Sequence, residues 1–148
     1  MFDVAIIGAG VIGGMVARAL TKYSLSVCLL EKENDVAGGA SKANSGIVHG
    51  GYDPVPDTLK AKLNVIGVEK LFDTANILNV PLKRNGSLVC AFSTDEDKTV
   101  KELYERGIKN GVKGLKILSG DEARKEEPNL SENVTSALLV TKPGIVCP

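Results

Sequence analysis

The stretch "VAIIGAGVIGG", residues 4–14, constrains the fold more than any other part of the chain. An unbroken apolar run leads into glycines at positions 8, 10, 13 and 14. Such a run, without alternation, suits a strand buried on both faces, as at the centre of a parallel sheet. From Val11 to Lys22 the pattern changes, and Ile12, Val16, Ala19 and Leu20 follow helical spacing. "LSVCLLE", residues 25–31, reads as a second buried strand. The three segments predict one strand–helix–strand unit with a right-handed crossover.

Each glycine then has a mechanical reason. Gly8 permits a tight turn off the strand, Gly10 lets a pyrophosphate approach the backbone, and Gly13 lets the helix pack close to the sheet. The helix opens at Val11 and Ile12, where free amides and a partial positive charge face outward. Glu31 follows Gly10 by 21 residues and stands at the end of the second strand. A carboxylate there accepts hydrogen bonds from both ribose hydroxyls of an adenosine and repels a 2′-phosphate. Glycine-rich turns are common structural punctuation on their own. With the strand, helix, second strand and terminal acid all at their spacing, this one points to an adenine dinucleotide.

The segment beyond Glu31 separates NAD from FAD. "EKENDVAGGASKANSGIVHGGYD", residues 31–53, carries a second glycine pair, small polar residues and a third pair. A plain NAD fold would proceed into another crossover helix, whereas here a long small-residue loop returns over the cofactor. With "KANSGIVHGGYD" and "LKAKLNV", the chain resembles the N-terminal part of FAD-dependent oxidoreductases of the D-amino-acid oxidase superfamily. Within it, the chain is most similar to the branch of flavin-dependent glycerol-3-phosphate dehydrogenases and L-2-hydroxyglutarate oxidases.

The resemblance implies an α/β fold: a Rossmann-like FAD-binding βαβ unit followed by the start of an inserted α+β substrate domain, incomplete in this chain. Residues 1–78 would be the N-terminal part of the FAD-binding domain, 79–143 part of the substrate domain and 144–148 the start of the return, truncated. Carried over residue by residue, Glu31 and Lys32 would lie at the adenosine, and Gly39, Ala40 and Ser41 near the phosphates. Asn44, Ser45, Gly46 and His49 would lie nearer the isoalloxazine. The implied activity is oxidation of a small anionic hydroxy substrate, glycerol 3-phosphate or an L-2-hydroxy acid, by hydride transfer to FAD. Two other readings stay open: a non-catalytic truncated nucleotide-binding module, and an amine or amino-acid oxidase of the same superfamily. A third keeps an enzyme but makes its cofactor NAD.

Several of these residues also have plain structural readings. Asn44 and Ser45 can cap a helix or close a local turn. His49 is the only histidine, and its near-neutral intrinsic pKa suits it as a catalytic base beside a flavin, while a structural role fits it equally well. Lys60 and Lys62 can meet an anionic substrate or simply form a solvated helix face.

The remaining segments read as scaffold. Asp57 is placed to cap a helix over residues 58–78 whose buried stripe is Ala61, Val65, Val68, Phe72 and Ala75. Strands at Leu82–Arg84 and Ser87–Phe92 flank an Asn85-Gly86 turn and predict a hairpin. Thr94 is placed to cap a helix with Asp95, Glu96 and Asp97 in its first turn and a stripe of Val100, Leu103, Tyr104, Gly107 and Ile108. "LKILSGDEARKEEP" predicts a strand and a short helix ending before Pro128, and "ALLVTKPG" a further strand and turn.

With 18 basic and 18 acidic residues and no basic run, the composition excludes an electrostatic footprint for nucleic acid. Cys28, Cys90 and Cys147 are widely spaced and odd in number, and each sits in an apolar run. They read as buried thiols, not a disulfide or metal framework, and imply a reducing, cytoplasmic compartment. Asp3 and Arg18 argue against a signal peptide, and the four glycines of residues 4–20 against a membrane span.

Overall fold

Parallel strands cannot be joined by a tight hairpin, so the first two strands require a crossover, which a helix supplies. Val4–Ile7 forms β1, Val11–Leu20 forms α1 and Val27–Leu30 forms β2. β1 and β2 pair in parallel, from Val4 opposite Val27 to Ile7 opposite Leu30. Asp3 and Ser26 lock the start of the pair: the Asp3 carboxylate accepts from the Ser26 amide at 2.8 Å and the Ser26 hydroxyl at 2.7 Å. The Gly8 amide extends the ladder to Leu30 O at 2.7 Å.

The turn after β1 needs its glycines. Gly8 has φ +98°, a conformation that other residues rarely adopt. A Cβ on Gly13 would stand 1.9 Å from the Gly8 carbonyl oxygen, so the helix approaches the turn more closely than any side chain permits. This contact is the close packing expected at Gly13. Ile12 is 79% and Val16 44% exposed, and the helix rests on Gly13 instead. β1 is not buried on both faces either, with Ile7 88% exposed. Its sheet has only two strands among the described residues.

The computed structural model describes residues 1–147, in two compact units, Met1–Ser45 and Gly46–Cys147. Residue 148, the last of the expected return segment, lies outside the described residues. The second unit holds β3 (Ile47–Val48), α2 (Leu59–Ile77), β4 (Leu82–Lys83), β5 (Ser87–Ala91), α3 (Thr94–Lys109), β6 (Leu115–Ser119), α4 (Gly120–Glu126), β7 (Ser136–Val140) and β8 (Gly144–Val146). β8 lies antiparallel between β3 and β4, and β7 lies antiparallel between β5 and β6.

The Asn85-Gly86 hairpin does not form. β4 pairs with β8 and β5 with β7, so Asn85 and Gly86 carry the chain from one sheet to the other. The Gly86 amide bonds Pro143 O at 3.0 Å, across a long stretch of sequence rather than within a local turn. Both expected caps move by one residue. Thr58 caps α2 and accepts from the Ala61 amide, while Asp57 precedes it with φ +64°. Ser93 caps α3 and accepts from the Glu96 amide, leaving Thr94 as its first residue. The helix stripes hold at Ala61, Val68, Phe72, Ala75, Val100 and Gly107, whereas Val65, Leu103 and Tyr104 are partly buried and Ile108 is 52% exposed. Cys28 and Cys90 are partly buried, and Cys147, expected inside, is exposed.

Leu118, Leu138 and Val140 are the fully buried aliphatic side chains at the centre of the second unit. Each contributes roughly 1.5–3 kcal/mol through burial. Leu138→Ala should lower the unfolding free energy by about 2–5 kcal/mol, because the cavity adds to the lost transfer energy. Urea denaturation of the two proteins checks this.

Candidate functional site

In the first unit the end of β1, the start of α1 and the loop after β2 are drawn together by a carboxylate and a hydroxyl. Glu31 accepts from the Ala9 amide at 2.7 Å with one oxygen, and from the Lys32 and Glu33 amides at 2.9 and 3.1 Å with the other. These bonds, that from Ala9 foremost and that from Glu33 next, hold the Glu31 carboxyl below its usual range. It is therefore an anion at neutral pH. Gly10 caps α1 without a side chain. Ser41 takes over that duty from outside the helix, its hydroxyl accepting from the Val11 amide at 2.8 Å. The Ala37 amide, donating to Ala9 O at 3.0 Å, fastens the same loop to the turn.

A cavity of about 260 Å³ lies among these groups, lined by Gly10, Glu31, Lys32, Glu33 and residues 37–41. It is smaller than the ~300–1,000 Å³ usual for small-molecule pockets, so it suits one portion of a dinucleotide. Its chemistry fits a ribose and its phosphates: an ionised acceptor at one side and, at the other, the first turn of a helix. There the amides of Ile12 and Gly13 have no intrahelical acceptor to bond. The Lys32 ammonium pairs with Glu33 at 3.2 Å and is largely exposed.

The structure thus gathers Gly8, Gly10, Val11, Gly13, Glu31, Lys32, Gly39, Ala40 and Ser41 around one turn, with Ile12 exposed beside it. Asn44 belongs to the same unit and donates to Ala40 O and Ser41 O at 3.1 and 2.8 Å, which is the local-turn geometry. Ser45 is exposed at the unit's end. Gly46 and His49 belong to the second unit, where Gly46 O accepts from the Val146 amide at 2.8 Å. His49 is exposed and stacks on Tyr52. Sequence reasoning passed over Ala9 and Ala37, whose contributions are backbone groups that no side-chain pattern betrays. It also passed over Tyr52, signalled only by an aromatic residue three positions after the sole histidine.

A wider groove of about 510 Å³ opens at the start of α2, lined among others by Thr58, Lys62, Val65, Lys109 and Asn110. Lys62 reaches this groove, and Lys60 is not part of its lining. Among the described residues no cluster of His, Cys, Asp and Glu could hold a metal ion, and no helix is long and apolar enough to cross a membrane.

The chain is similar to known proteins. A family model described as FAD dependent oxidoreductase (DAO) matches residues 3–148. A glycerol 3-phosphate dehydrogenase of Caloramator mitchellensis is 54% identical across 100% of this chain, which covers 31% of that protein. A mitochondrial L-2-hydroxyglutarate dehydrogenase of Pongo abelii is 40% identical across 86% of this chain, which again covers 31% of the relative. The structure of dithionite-reduced L-alpha-glycerophosphate oxidase from Mycoplasma pneumoniae with FAD bound matches at a TM-score of 0.92 and 34% identity, over 99% of this chain and 39% of that one. The chain therefore spans between 31% and 39% of the length of these relatives.

The bonds to Glu31 make the turn sensitive to acid. A carboxyl whose pKa is lowered by folding stabilises the fold above its ordinary value of 4.5, and that contribution is lost as pH falls through the lower folded value. In a ¹⁵N-resolved titration the Ala9 amide proton should shift with a midpoint below 4.5. In Glu31→Gln that titration should vanish.

Proposed function

The chain belongs to the DAO family of FAD-dependent oxidoreductases, and from that premise we propose that it binds the adenosine and phosphates of FAD through the turn after β1. The observation that carries this reading is the ionised Glu31 facing a helix N-terminus across a cavity with no side chain at Gly10. Glu31 would accept from the ribose hydroxyls, with Lys32 beside it. The amides of Val11, Ile12 and Gly13 would meet the phosphates, and the Ser41 hydroxyl would turn from accepting the Val11 amide to donating to phosphate. Gly39 and Ala40 would line the phosphates' other side, and Asn44, Ser45, Gly46 and His49 would continue toward the flavin. Bound there, FAD supplies a two-electron acceptor.

The whole protein would oxidise a small anionic hydroxy substrate, glycerol 3-phosphate or an L-2-hydroxy acid, consistent with the names of its relatives. His49 would take the substrate's hydroxyl proton on an imidazole nitrogen as the carbinol carbon gives up its hydride. The reading extends to a cytoplasmic location, supported by the free thiols of Cys28 and Cys90, which suit a reducing compartment.

Equilibrium titration with FAD, followed by flavin fluorescence, tests the reading. Glu31→Gln should weaken binding by roughly five- to thirtyfold, the ~1–2 kcal/mol lost when a charged acceptor becomes a neutral one. Gly10→Val should abolish binding, since even a Cβ there would stand 3.0 Å from the Ser41 hydroxyl and the branch would fill the phosphate path. Binding of NAD in preference to FAD, or FAD affinity indifferent to both substitutions, would overturn it. Anaerobic bleaching of the flavin by glycerol 3-phosphate or by L-2-hydroxyglutarate identifies the substrate class.

A further inference from the structure

His49 and Tyr52 flank a pair of glycines, and the chain between them doubles back so that the two rings meet, centroids 5.4 Å apart and planes inclined by 25°. That distance and tilt fall within the offset-stacked arrangement aromatic pairs favour. The turn leaves no slack. A Cβ on Gly50 would stand 2.8 Å from Pro143 Cγ, 2.9 Å from Val140 Cγ1 and 3.2 Å from Tyr52 Cδ1.

Tyr52 is anchored from behind. It packs on the buried cluster of Ala91, Val100, Val112, Leu138 and Val140, and α3 comes so close that a Cβ on Gly107 would lie 3.1 Å from Tyr52 Cβ. Burial first, and the Asp53 charge second, push the Tyr52 phenol above its usual range. It is therefore a neutral ring at any pH near 7. His49 differs. It is exposed, and its ring lies against that of Tyr52.

We propose that Tyr52 is a positioning residue for His49, its core-anchored ring confining the imidazole to one orientation. An exposed side chain without such a partner changes rotamer on a picosecond to nanosecond scale. A group that must receive a proton at one defined point gains from being held there beforehand. The inference rests on the reading in which His49 serves the flavin reaction, and it adds the residue that would make an exposed histidine fit for that work.

The sole histidine gives a single set of imidazole resonances, so the stack can be read without assignment ambiguity. In the 148-residue chain the His49 ring protons should show nuclear Overhauser contacts to the Tyr52 ring and lie upfield of a free histidine. Tyr52→Phe should keep the upfield position, and Tyr52→Leu should lose it in molecules whose Val140 methyl resonances stay native. A purely structural Tyr52 would leave kcat of the folded, flavin-loaded Tyr52→Leu protein unchanged, and that result overturns the inference. Wild-type ring protons at the free-histidine position, without contacts to Tyr52, overturn it even if Tyr52→Leu fails to fold. In the flavin-loaded protein, Tyr52→Leu should lower kcat with little change in KM, and Tyr52→Phe should restore it. Unchanged flavin reduction in His49→Gln would instead overturn the parent reading, while leaving the resonance test of the stack intact.

Discussion

The Glu31 carboxylate is the point on which the first unit turns. One of its oxygens holds the amide of Ala9 and the other those of Lys32 and Glu33, so the end of β2 is tied to the turn after β1. That turn fixes the Gly8 carbonyl, on which α1 rests at Gly13, and so sets where the helix begins and where its amides point. The helix start in turn fixes Val11, whose amide is met by Ser41 from the returning loop. The same carboxylate that would recognise a ribose thus also helps to assemble the surface that would meet phosphate.

Within this chain, which spans 31% to 39% of its relatives' length, few side chains of the first unit are buried. Among residues 1–45 only Ala9 and Gly13 are buried, while Ile7, Val11, Ile12 and Leu30 are at least half exposed. The second unit is held differently, by three clusters of buried side chains between its sheets and helices. Its order rests on hydrophobic burial, which no single proton can remove. The first unit's order rests on directed bonds, which acid or a competing ligand can exchange.

The sequence was legible wherever geometry is set by neighbours in the chain. The βαβ unit, the role of Gly13, the Glu31 position and the acidic first turn of α3 come from spacing alone, because helix pitch and strand rise are fixed. The Asn85-Gly86 hairpin was misread because a local turn signal cannot say which strand its flanks will pair with, and β7 and β8, more than forty residues on, competed successfully for both. The caps at Thr58 and Ser93 lay one residue from those expected because adjacent residues were both competent, and tertiary position chose between them. Ile12 and Val16 lie on the exposed side of α1 because a glycine contact, which carries no hydrophobic signal, decided which face turned inward. The stack of His49 on Tyr52 was hidden for the same reason: two glycines separate the rings in sequence, and only their folded path brings the rings together.

A ligand at the turn after β1 would have an energetic consequence. Any ligand that binds the folded turn and not the unfolded chain stabilises it in proportion to the logarithm of its concentration over its dissociation constant. Here the groups that a dinucleotide would engage, Glu31, Ser41 and the first amides of α1, are the ones already holding the unit together. Ser41 and the Val11 amide satisfy each other in the absence of phosphate, which keeps a helix terminus from being left bare. Ligand binding at this turn would therefore be an exchange of partners among polar groups already in position, and the affinity it could reach would depend on how little the turn must move to make that exchange.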